Sequence, residues 1–125
     1  MLPRTLSLTL VLCLATACSS TGATRVVNAD APVVVSVGDT VGLAGRGSLQ
    51  YLGVRADSRC PPAVQCIRAG EVQVDFEITE PGALPRRLTV TYPDQAVGQS
   101  GSWTVSIDAL DFAKPPVATI RIRPD

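Results

Sequence analysis

The chain has 125 residues, 11 basic against 11 acidic for a net charge of zero, and no histidine. Without histidine there is no Ser-His-Asp or Cys-His nucleophile, no His-ligated metal and no histidine pH switch. Balanced charge argues against an electrostatic nucleic-acid binder, and a length of about 100–150 residues fits one domain.

Residues 1–17 read MLPRTLSLTLVLCLATA: a short basic start at Arg4, an apolar stretch over 6–14, then small residues. This is the pattern of a secretory signal peptide, too short to span a bilayer as a stable helix. Leu14-Ala15-Thr16-Ala17-Cys18 resembles the lipobox of bacterial lipoproteins. In that family the cysteine is acylated and becomes the mature N-terminus. The family places leucine three residues before the cysteine; here Ala15 holds that place and Leu14 lies one residue further out. The resemblance implies lipidation at Cys18, a palmitate-type anchor in the membrane and a position in the cell envelope. Ser19 behind Cys18 resembles outer-membrane sorting, which in a two-membrane cell places the protein facing the periplasm. Residues 18–24 then form a lipidated tether of small polar residues, and 25–125 the folded domain.

The domain reads as all-β. The runs 33–37, 40–44 and 49–54 are rich in β-branched and apolar residues, with Gly38-Asp39 between the first two as a hairpin candidate. Val72, Val74, Phe76 and Ile78 alternate with Gln73, Asp75, Glu77 and Thr79. Leu88, Val90 and Tyr92 alternate with Arg87, Thr89 and Thr91. Trp103, Val105, Ile107 and Ala109 alternate with Thr104, Ser106, Asp108 and Leu110. Ala118, Ile120 and Ile122 alternate with Thr119, Arg121 and Arg123. Period two with one polar face marks antiparallel strands over a core. Breakers at Pro81-Gly82, Pro93-Asp94, 98–101 and Pro115-Pro116 separate the runs. About seven short strands predict an immunoglobulin-like β-sandwich, with a small β-barrel as the alternative.

The sharpest local motif lies over 57–70, Asp-Ser-Arg-Cys-Pro-Pro-Ala-Val-Gln-Cys-Ile-Arg-Ala-Gly. In an exported chain, Cys60 and Cys66 predict a disulfide. Pro61 and Pro62 stiffen the loop, and Gly70 permits a backbone conformation closed to other residues. The segment DSRCP-x4-C-x2-AG resembles one in a family of small, largely uncharacterised bacterial lipoproteins and secreted proteins. The match covers Asp57, Ser58, Arg59, Cys60, Pro61, Cys66, Ile67, Ala69 and Gly70, and departs at Arg68, where the family commonly has tryptophan. The resemblance implies a β-rich exported domain with a disulfide and carries no activity.

Asp57, Arg59, Pro61, Pro62, Gln65 and Arg68 are the candidate interaction residues of this loop. Asp57 and Arg59 read either as a ligand-binding acid and base or as internal caps, the acid taking backbone N–H groups and the base loop carbonyls. C-x5-C lacks the C-x-x-C spacing of redox motifs, and a metal site would have no histidine to complete it. Glu71, Asp75 and Glu77 read as a solvated strand face, Trp103 as core, and Arg121 with Arg123 as a small basic patch or a balanced strand face. No residue pattern calls for a catalytic group, cofactor or metal. The expected function is a non-catalytic interaction or structural module of the envelope, bound to the membrane by its lipid and open to an envelope protein partner. The alternatives are a periplasmic enzyme inhibitor presenting the 57–70 loop and, more weakly, a metal or redox protein.

Overall fold

A computed structural model describes residues 25–44 and 46–125. The expected signal peptide over 1–17 and the expected lipidated tether over 18–24, with Cys18, lie outside the described residues. The described residues form nine strands: β1 (Arg25–Val26), β2 (Val33–Val35), β3 (Thr40–Gly42), β4 (Ser48–Asp57), β5 (Val72–Thr79), β6 (Arg86–Tyr92), β7 (Val97–Ser100), β8 (Trp103–Leu110) and β9 (Ala118–Pro124). They make two sheets, ordered β1-β3-β4-β5-β6 and β2-β9-β8-β7. Neither closes on itself, so the fold is a β-sandwich and the barrel alternative falls away.

The period-two pattern does what it predicts in β5 and β6. Val72, Val74, Phe76, Ile78, Leu88 and Val90 are buried. They meet Val35, Val105, Ile107, Ala118, Ile120 and Ile122 of the second sheet in one core. Leu49 and Tyr51 of β4 complete the layer, and the Tyr51 and Phe76 ring centroids lie 5.5 Å apart. Each large side chain fully buried there contributes about 1.5–3 kcal/mol.

Four local expectations change. First, 98–101 is not simply a breaker: β7 occupies most of it, pairing with β8. Gly98 is there because the sheets approach closely, since a Cβ on it would stand 2.9 Å from Leu88 Cδ1 and 3.0 Å from Val90 Cγ2. Together with β1, whose two residues run parallel to β3, this raises the strand count above seven. Second, Gly38-Asp39 does not close a hairpin. β2 pairs with β9 and β3 with β4, so the turn carries the chain between sheets. Asp39 accepts the Ser36 N–H, and Gly38 N–H donates to the Tyr51 carbonyl. Third, β8 shifts register between Ile107 and Ala109, which turns Ala109 outward and buries Leu110. Fourth, Asp75 is not solvated. It is 9% exposed, accepts the Thr89 hydroxyl at 2.6 Å and faces Arg55 at 3.2 Å.

The two ends of the sandwich are distinct. Asp57 pairs with Val72 and Leu110 with Ala118 at one end; Ser48 pairs with Thr79 and Trp103 with Pro124 at the other. Hydrogen bonds from Arg59 to Leu110 and from Ser102 to Glu80 tie the sheets together at these two ends. The first is the loop end and the second the Trp103 end. Midway along the second sheet Arg121 pairs with Asp108 at 2.6 Å, and toward the Trp103 end Arg123 faces Asp30 at 3.7 Å, so the β9 arginines form a balanced face.

Candidate functional site

The cysteine loop is built by short-range bonds before any side chain reaches outward. Ser58 N–H donates to the Glu71 carbonyl at 2.8 Å, and Cys60 N–H to that of Ala69 at 3.0 Å. The Ser58 hydroxyl also bridges the backbone of Glu71, donating to its carbonyl and accepting its N–H. Gly70 closes this ladder with φ of 71°, and a Cβ on it would fall 1.9 Å from the Ser58 carbonyl oxygen. Only glycine fits both the left-handed backbone and that contact. Cys60 and Cys66 are joined in a disulfide. Closing so short a ring is worth about 2 kcal/mol on the chain-entropy estimate. Reduction is therefore expected to lower the urea midpoint modestly without unfolding the sandwich, a result that denaturation with and without reductant would read.

Arg59 turns inward from this loop and is the link to the second sheet. Its guanidinium holds Asp57 in a fork, Nε to Oδ1 at 3.0 Å and NH2 to Oδ2 at 2.8 Å. It also donates to the carbonyls of Leu110 at 2.9 Å and Asp111 at 2.8 Å, and it lies 4.3 Å above the Phe112 ring. The Arg59 side chain is 6% exposed. The capping reading of Asp57 and Arg59 matches this geometry, since Asp57 also accepts the Arg59 N–H at 3.1 Å. The segment that receives Arg59 is itself capped: Asp111 Oδ1 accepts the N–H groups of Ala113 at 3.0 Å and Val117 at 2.8 Å. The Tyr51 hydroxyl donates to the Pro116 carbonyl at 2.9 Å from inside the core. Burial, with Asp111 adding to it, pushes the Tyr51 phenol up to about 12. Tyr51→Phe leaves the Pro116 carbonyl unpaired and is expected to cost about 1–2 kcal/mol, measured as a shift in urea midpoint.

Asp57 gives the site an acid dependence. The Arg59 hydrogen bonds hold its carboxyl below the ordinary 3.8, against a smaller opposing effect of burial. A carboxyl depressed in the folded state stabilises the fold above its unfolded value. That contribution disappears as pH falls through the lower, folded value. Stability is expected to decline below about pH 4, and Asp57→Asn to flatten that decline. Urea melts of both proteins across this range check it, and parallel curves would remove Asp57 from the account.

Between the 57–61 segment and the 112–116 segment lies a cleft of about 490 Å³, walled by Val54, Asp57, Arg59, Pro61, Phe112, Lys114 and Pro115. Of the sequence candidates, Asp57, Arg59 and Pro61 line it. Pro62, Gln65 and Arg68 are exposed on the loop outside its walls. Around them the apolar side chains face solvent: Ile67 is fully exposed, Val64 54% and Phe112 45%. Asp111 and Phe112 escaped sequence reasoning, which marked Pro116 only as a breaker. An aspartate leading into Pro115-Pro116 carries an Asx-turn signal that could have marked Asp111. Phe112 had none. Among the described residues no group of three Cys, Asp or Glu side chains converges as a metal site.

Comparison with protein-family models, with curated proteins and with solved structures finds no match. The functional reading therefore rests on the site itself.

Proposed function

We propose that the chain is a lipid-anchored cell-envelope protein whose sandwich presents its loop end to another envelope protein. The observation that carries this reading is Ile67, fully exposed on a loop that is closed by a disulfide and pinned to both sheets. Burying this side chain against a partner would remove its apolar surface from water, which favours association. A loop already ordered loses little further entropy on binding, so its apolar contacts translate into affinity. Val64 and Phe112 are further exposed apolar side chains at this end, and Arg68 and Lys114 are exposed charges there.

The anchor in this proposal is Cys18, supported by the lipobox resemblance. Two acyl chains give lasting attachment at about 0.8 kcal/mol per buried CH₂. Cys18→Ala in the full chain is expected to lose incorporated palmitate and to move from the membrane pellet to the soluble fraction. Retention in the pellet without lipid would overturn the anchor. For the partner, capture from membrane extract is expected to recover one discrete protein with the native chain. The same protein should be lost with Ile67→Asp and kept with Leu84→Asp, which alters an exposed leucine near the Trp103 end. Recovery unchanged by Ile67→Asp would overturn the interaction surface.

A further inference from the structure

The Trp103 end holds a second cavity that the loop end does not explain. Its volume is about 230 Å³, and Val27, Leu43, Trp103, Ile122 and Pro124 give it apolar walls. Arg46 stands among the lining residues. Trp103 also lines a neighbouring cavity of about 370 Å³, whose other walls include Arg46, Glu80 and Ser102. Trp103 and Arg46 are thus shared between an apolar chamber and a polar vestibule. Trp103 is 4% exposed, and its indole N–H is the buried side-chain donor left without a hydrogen-bond partner among the described residues.

The charges at this end point to the chemistry of an occupant. Asp30 faces Arg123, the Asp125 carboxylate takes the Thr104 hydroxyl, and Glu80 takes the Ser102 N–H at 3.1 Å. Among the described residues no carboxylate pairs with Arg46. Glu80 lines the vestibule, with Arg46, and not the chamber. We infer that the chamber is a binding site for a small organic carboxylate, its apolar body against Trp103, Leu43 and Ile122 and its carboxylate on Arg46. The volume lies below the about 300 Å³ where drug-sized pockets begin, which limits the body to one ring or a short chain.

Trp103 makes the test direct, because the chain has 1 tryptophan and so one indole N–H signal. The full chain, labelled with nitrogen-15, is titrated with phenylacetate and separately with benzyl alcohol, which keeps the ring and lacks the charge. Phenylacetate is expected to move the indole N–H cross-peak saturably, with a dissociation constant of about millimolar. Benzyl alcohol, and phenylacetate on Arg46→Gln, are expected to bind about five- to tenfold more weakly. The remaining cross-peaks report that the variant keeps its fold. No saturable movement with phenylacetate would overturn the site. Equal binding of benzyl alcohol, or equal binding to Arg46→Gln, would overturn the carboxylate assignment.

Discussion

Gly70→Ala is expected to destabilise the domain by about 3 kcal/mol or more, far beyond the effect of the same change at Gly82. The two glycines share nearly the same backbone, with φ of 71° and 73°. An L-residue pays about 1 kcal/mol or somewhat more for that conformation at either place. They differ in surroundings. A Cβ at Gly82 meets nothing within 4 Å, whereas at Gly70 it falls 1.9 Å from a backbone carbonyl oxygen. That oxygen belongs to Ser58, whose own backbone and hydroxyl are bonded to Glu71, so it cannot withdraw without opening the ladder. Thermal melts of the two variants separate the contributions. A difference of 2 kcal/mol amounts to about 8–16 °C in a domain of this size. Equal melting points would mean that the loop yields freely and is not the fixed element described above.

Arg59→Met is the second large effect, expected at about 3 kcal/mol. The substitution keeps much of the apolar stem yet removes the guanidinium. The Leu110 and Asp111 carbonyls and the Asp57 carboxylate then lose their donor together. Because the Asp57 side chain is 33% exposed, water takes up part of the loss, which holds the figure below that of a fully buried pair. Arg59→Lys keeps the charge but not the planar fork, and a single ammonium does not reach two carbonyls and a carboxylate in the same geometry. It is expected to recover less than half of the lost stability. A double-mutant cycle with Asp57→Asn reads the coupling between the two side chains, and strict additivity would show that they act separately. Full recovery by lysine would reduce the link to simple charge.

How far these features were legible in the sequence follows from their range. The alternation of Val72, Val74, Phe76 and Ile78 is local, and the strand it marks is where the pattern says. The bulge after Ile107 is set by pairing with β9, and nothing in Asp108-Ala109-Leu110 announces the change of face. Gly98 misled because glycine signals both a turn and a close approach, and only the position of Leu88 and Val90 across the core decides between them. The site divides the same way. The loop over 57–70 was visible because cysteine, proline and glycine act on their own neighbourhood. Its other wall was not. Arg59 meets Leu110 across 51 positions of the chain, through a backbone carbonyl that any residue would supply.

The central claim is that the loop end, at Ile67, is where the protein meets a partner. The most direct measurement is photo-crosslinking in the cell, with a benzophenone amino acid at position 67 and a control at position 84. Both side chains are exposed, and they stand toward opposite ends of the sandwich. The expected result is a discrete adduct from position 67, absent from position 84 and lost when Cys60→Ser opens the loop. No adduct from position 67, or the same adducts from both positions, would contradict the claim.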